Sequence, residues 1–221
     1  MEPRNLSIIL CALAVAALLV AERRGSQAGK WLAKPVASLA FIGVALASGA
    51  AASGYGQLIL LGLVFCLLGD VLLIPERRPG VFRLGVFAFL CGHVAFAAAF
   101  LTQPLDARWL GFAAILLALV LWRVWRWLGP HLPADMRVPV QAYFAVIATM
   151  TALACGVTGA GGSPLVALGA VAFTASDVAV ARDRFVRHGF INRAWGLPLY
   201  YLAQVLLALT PALLAGASRG G

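Results

Sequence analysis

The chain predicts an all-α fold, a polytopic bundle of eight transmembrane helices, and three observations predict it. Apolar residues make up 62% of the 221 residues and charged residues 11%, with a mean hydropathy of +0.94. A soluble domain of this length has no interior large enough for that much apolar surface. The apolar residues fall in long runs separated by short polar connectors, and the basic residues collect on alternate connectors. In hydrocarbon every backbone group must bond within the protein, which makes each run a helix. The length suits a single integral membrane domain over residues 1–221.

The spans are read at about 6–21, 35–52, 57–74, 81–101, 109–123, 138–158, 164–181 and 195–215. The first, Leu6–Ala21, has no clear small-x-small cleavage site and runs straight into Glu22-Arg23-Arg24, which suits a retained helix better than a signal peptide. The second opens at Pro35, and the Gly-, Ala- and Ser-rich run Gly43–Gly56 allows close helix packing. The third carries Asp70, and the fourth carries His93 about halfway along. The fifth is interrupted at its end by Arg123 and Arg126, where Trp122, Trp125 and Trp127 read as an interfacial aromatic belt. The sixth opens at Pro139 with Gln141 and Tyr143 close behind. The seventh carries Asp177, and the eighth carries Tyr200, Tyr201 and Gln204 in its first half.

Charge orients the bundle. Connectors 1–2, 3–4, 5–6 and 7–8, with the helix ends beside them, hold 14 of the 17 basic residues; Arg4, Arg108 and Arg219 lie on the other side. The positive-inside rule makes the first side cytoplasmic and puts both termini outside a cell membrane. The net charge of +9 is therefore a topology signal. No basic arm or long basic helix exists to track a phosphate backbone, so a nucleic-acid partner is not expected. Cys11, Cys66, Cys91 and Cys155 each sit in a different run, form no CxxC and read as small buried hydrophobes. A weak internal repeat is also visible. Asp70 and Asp177 are 107 residues apart, and Pro35-Val36 and Pro139-Val140 are 104 apart, as a parallel four-plus-four arrangement would require.

Asp70 and Asp177 are the sole carboxylates of the runs Leu58–Ile74 and Leu165–Ala181, in the matched settings Gly69-Asp70-Val71 and Ser176-Asp177-Val178. An acid at membrane depth is expensive, and a pair at equal depth suggests one shared site near the cytoplasmic leaflet. Each is expected four residues before the inner end of its helix, roughly 6 Å from it. Lys34, Tyr143, Tyr200 and Gln204 are expected at the same level, with His93 deeper and Arg193 or Arg77 at the rim. Each also has a duller reading: structural ion pairs for the acids, snorkelling for Lys34, a bonded core ring for His93 and interhelical glue for Gln204. Of the adjacent Tyr200 and Tyr201, one is expected to face inward.

Other chemistries fit worse. No GxSxG is present, and Ser176 has no adjacent base. His131 and His188 lie in connectors, leaving one histidine at membrane depth; no metal and no cofactor is expected. Gly159-Ala160-Gly161-Gly162 reads as a turn in an outer connector.

Lys34-Pro35, Gly69-Asp70, Gly92-His93, Phe173-x-x-Ser176-Asp177 and Tyr200-Tyr201-x-x-Gln204 occur in this order along nearly the whole chain. In these pieces the sequence resembles the YhhN family of lysoplasmalogenase-like membrane proteins. The family pattern often has serine where this chain has Cys66 and tyrosine where it has Phe96, so a hydroxyl near His93 is missing here. The resemblance implies a hydrolase that cleaves the vinyl-ether bond of a lysophospholipid to a fatty aldehyde and glycerophosphoethanolamine or glycerophosphocholine. That bond breaks when its terminal alkene carbon is protonated and water attacks the resulting oxocarbenium ion. Two carboxylates close together in apolar surroundings titrate separately and can divide those tasks, one holding a proton and the other ionised. Asp70 and Asp177 are the expected catalytic pair, with acid and base unassigned between them. Lys34 and Arg193 are expected on the phosphate, His93 and Tyr143 among the substrate-binding residues, and Tyr200 and Gln204 orienting water or the glycerol hydroxyl. Two other classes compete: a proton-coupled transporter or lipid flippase, and a non-catalytic lipid-binding protein.

Overall fold

The computed structural model describes residues 2–75 and 78–217. Arg77, expected at the rim, and Arg219, expected on the outer side, lie outside these residues. The helices are α1 (Pro3–Arg23), α2 (Gln27–Ala47), α3 (Gly54–Leu72), α4 (Pro79–Leu101), α5 (Ala107–Leu128), α6 (Ala134–Gly159), α7 (Pro164–Ala181) and α8 (Phe190–Ala217). Among the described residues, these eight, α5 and α7 extended by a further turn each, are long and apolar enough to cross a membrane. The chain is a multi-pass all-α membrane protein.

Short polar signals set the helix starts. Pro3, Pro79 and Pro164 occupy first-turn positions, where a missing N–H costs nothing. The Ser26 and Ser53 hydroxyls accept from the N–H groups of Gly29 and Gly56, and the Asp106 carboxylate accepts from those of Arg108 and Trp109. The turn after α2 needs Gly49, whose φ of 78° is disfavoured for residues with a Cβ.

The expected boundaries need correction at α2. Pro35 does not open this helix but lies inside it, and the Ser26 cap starts it eight residues earlier. Lys30 and Lys34 are consequently buried helical residues rather than parts of a connector. Pro139 is likewise internal to α6. At the other end, α2 stops at Ala47, and Ala50–Ala52 form a separate 3-10 turn. Asp70 sits two residues, not four, before the end of α3, whereas Asp177 is four before the end of α7. A π-turn over Arg182–Val186 then continues α7. Both Pro198 and Pro211 are accommodated within an unbroken α8.

Consecutive helices pack as antiparallel hairpins, α1 on α2, α3 on α4, α5 on α6 and α7 on α8. α8 also touches α1, α2 and α3, while α6 bridges α4 and α7. Phe41, Ile59, Leu63, Phe96, Phe100, Phe173 and Leu207 are fully buried where these helices meet. α5 is peripheral. It buries Ala113, Leu121 and Leu128, while Phe112, Ile115, Leu116 and Leu119 point outward, as a lipid-facing helix requires.

Candidate active site

Asp70 is 2% exposed, yet three donors converge on it. The Ser38 and Tyr200 hydroxyls each donate to Oδ2 at 2.7 Å, and the Lys34 ammonium lies 3.3 Å from Oδ1. Lys34 and Ser38 are one helical turn apart on α2, so both face α3. Tyr200 reaches across from α8. A buried carboxylate is tolerated when charge and hydrogen bonds meet it from several sides, as here.

Asp177 stands in a different setting. Its Oδ2 lies 3.3 Å from His93 Nε2, and the Tyr143 hydroxyl donates to the same oxygen at a long 3.3 Å. His93 is fully buried, with Nδ1 2.7 Å from the Phe89 carbonyl and its ring stacked on Phe173 at 4.1 Å. The aromatic layer continues through Phe89 and Tyr200, each packed edge-on to its neighbours at 5.6–6.3 Å. This layer couples the surroundings of one aspartate to those of the other. Gly69 permits it: a Cβ there would lie 2.7 Å from the Phe89 ring.

A single cavity of about 470 Å³ reaches both acids. Lys34, Asp70, Tyr143, Asp177, Arg193 and Tyr200 all border it. Its remaining wall is largely apolar, with Val86 and Phe89 from α4, Val140 and Phe144 from α6, and Leu197 from α8. The mouth is polar. Asp183 of the π-turn accepts from the Gly189 backbone, from the Asn192 amide at 3.0 Å and from Arg193. Arg193 also pairs with Glu22 of α1, which lies 3.7 Å from the Lys30 ammonium. Arg193 thus borders the cavity with two carboxylates already on it.

Of the residues expected at the site, Asp70, Asp177, Lys34, Tyr143, Tyr200 and Arg193 share the cavity, and His93 stands behind Asp177. Gln204 is fully buried away from the cavity wall, and among the described residues its amide atoms have no hydrogen-bond partner. Tyr200 and Tyr201 correct the expectation that one alone faces inward. Both are buried, because α8 is packed by several helices. The Tyr201 hydroxyl lies 3.3 Å from that of Ser38. Ser38 itself escaped sequence reading, although its position four residues after Lys34 places it on the same helix face. Glu22, Asp183 and Asn192 were hidden because they lie outside the apolar runs, at helix ends where no periodicity reveals tertiary partners.

A model of the YhhN family matches residues 29–210, which contain every residue just described at Asp70 and Asp177. The chain belongs to the YhhN family. Among curated proteins, a Bos taurus lysoplasmalogenase TMEM86A is 31% identical over 163 residues, covering 69% of this chain and 64% of its own length. A Sus scrofa lysoplasmalogenase TMEM86B is 32% identical over 160 residues, 72% of this chain and 66% of its own. A Mycobacterium tuberculosis lysoplasmalogenase is 31% identical over 156 residues, 66% of this chain and 56% of its own. The chain therefore matches less than two thirds of the length of these relatives. No solved structure matches it significantly.

Proposed function

We propose that the protein is a lysoplasmalogenase-like hydrolase, cleaving the vinyl-ether bond of a lysophospholipid with Asp70 and Asp177 as its acid–base pair. One observation carries this reading: a largely apolar cavity within the bundle reaches both intramembrane acids, in unlike surroundings. The names of the curated relatives favour the same chemistry.

The reaction follows from the bond. A proton adds to the alkene carbon distal to the ether oxygen, and that oxygen donates its lone pair to form an oxocarbenium ion. Water adds to the carbon bearing oxygen and gives up a proton. The hemiacetal then collapses to aldehyde and alcohol, so one water is consumed overall. An acid must meet the alkene, and an anion must stand near the cation. The apolar wall takes the alkenyl chain, and Arg193 at the mouth and Lys34 beside Asp70 attract the phosphate. With the basic connectors cytoplasmic, the mouth opens toward the inner leaflet and both termini lie outside.

The test is aldehyde release from a lysoplasmalogen by purified protein in detergent, compared with Asp70→Asn and Asp177→Asn at equal folded yield. Loss of at least about 100-fold in each variant is expected. Wild-type rates in both variants remove the pair from the mechanism, and absence of aldehyde from the parent protein refutes the reaction.

A further inference from the structure

We propose that Asp177 and His93 hold one proton between them and form the acid of the reaction, Asp177 delivering the proton and His93 acting as the positioning residue that stores it. The assignment rests on the hydrolase reading above and settles which aspartate is which.

Hydrogen-bond accounting carries it. His93 Nδ1 is 2.7 Å from the Phe89 carbonyl oxygen. A carbonyl only accepts, so Nδ1 bears a hydrogen. In a neutral ring Nε2 is then a bare lone pair. It lies 3.3 Å from Asp177 Oδ2, and an ionised carboxylate offers only lone pairs as well. Two acceptors held face to face in a buried site repel unless a proton joins them. The Tyr143 hydroxyl donates to the same oxygen at 3.3 Å but leaves the Nε2 lone pair unmatched. Nε2 is buried and, among the described residues, has no directed hydrogen bond. The ring is also held, by the Phe173 stack at 4.1 Å and the Tyr143 ring at 5.3 Å.

Asp70 has the opposite inventory. Ser38, Tyr200 and Lys34 all present donors to it. It is satisfied as an anion and suits the task of facing the oxocarbenium ion. Asp177 is also the partner that reaches the cavity, whereas His93 is fully buried behind it.

In the step assigned here, the dyad's proton passes through Asp177 to the alkene carbon distal to the ether oxygen. A C–H bond forms from the π electrons, and the positive charge moves to the ether oxygen. The emptied dyad again has two lone pairs face to face, which favours taking the proton that the attacking water releases. That proton then passes to the glycerol oxygen as the hemiacetal C–O bond breaks, and the proton released by the hemiacetal hydroxyl refills the dyad. The other titratable groups around the pair are Tyr143 from α6, Cys66 and Asp70 from α3, and Tyr200 across Phe173 from α8. Each is assigned here no proton of its own to transfer.

The experiment measures kcat and KM against pH for the wild type, His93→Gln, Asp177→Asn and the double variant on an alkenyl lysophospholipid. Infrared difference spectra and histidine nitrogen-15 NMR are recorded on the substrate-free protein. His93→Gln is expected to lower kcat about 100-fold while KM stays within about threefold, and to remove one limb of the pH–rate profile. The double variant should be no slower than Asp177→Asn, because the two residues act as a unit. The spectra should show a His93–Asp177 proton that is lost in Asp177→Asn. A His93→Gln rate within about threefold of wild type with an unchanged profile overturns the assignment. So does a wild-type nitrogen spectrum with Nε2 bare and unbonded, a readout that holds even if the variant fails to fold. The spectra need no turnover, so a parent protein that releases no aldehyde refutes the reaction while the dyad is judged separately.

Discussion

Replacing Lys34 by Met removes the cation from a buried carboxylate while keeping most of the side-chain volume. Lys34 Nζ is 3.3 Å from Asp70 Oδ1, and the two side chains are 11% and 2% exposed. Removing one member of a buried pair costs about 3–5 kcal/mol, because the surviving charge stays out of water. Here the hydroxyls of Ser38 and Tyr200 still donate at 2.7 Å each, so a loss near the lower end, about 3 kcal/mol, is expected. Lys34→Met combined with Asp70→Asn removes both charges and should recover at least about 1.5 kcal/mol of the sum of the single losses. Reversible denaturation in mixed micelles, followed by tryptophan fluorescence, measures all four corners of the cycle. A Lys34→Met loss below about 1 kcal/mol, or additive behaviour in the cycle, would show that Lys34 does not neutralise Asp70 and would refute the reasoning.

Tyr200→Phe keeps the ring packing but removes a charged-acceptor hydrogen bond, so it should cost about 1.5–3 kcal/mol by the same denaturation assay and slow turnover about tenfold. Gly69→Ala drives a Cβ to 2.7 Å from the Phe89 ring and should destabilise by about 1–3 kcal/mol, with turnover falling as Phe89 shifts against Tyr200. Gly111→Ala, which meets no atom within 4 Å, should be neutral or stabilising by up to about 1 kcal/mol; equal losses in the two glycine variants would contradict the packing argument. Arg83→Ala breaks a pair with Asp135 whose side chains are 60% and 59% exposed, and it should shift stability by less than about 1 kcal/mol.

The eight spans, the all-α class and the isolation of Asp70 and Asp177 as lone acids in apolar runs were legible in the sequence. Each is written in local terms. Long apolar runs demand helices because hydrocarbon leaves no other partner for the backbone, and a lone acid in such a run stands out by composition alone. Helix boundaries were less legible. A proline at the start of a run reads as a helix opening, but the Ser26 cap carried α2 past Pro35, and only the packed structure turned Lys30 and Lys34 into buried residues.

Tertiary structure alone decided which partners each acid has. Lys34, Ser38 and Tyr200 come to Asp70 from α2 and α8, while His93 and Tyr143 come to Asp177 from α4 and α6. The sequence presents the two aspartates as near equals, because periodicity fixes which face of a helix a residue occupies and says nothing about the helix opposite. Once the bundle closes, three donors meet one acid, and an imidazole nitrogen lies 3.3 Å from the other. Their difference arises from neighbours that are more than thirty residues away along the chain.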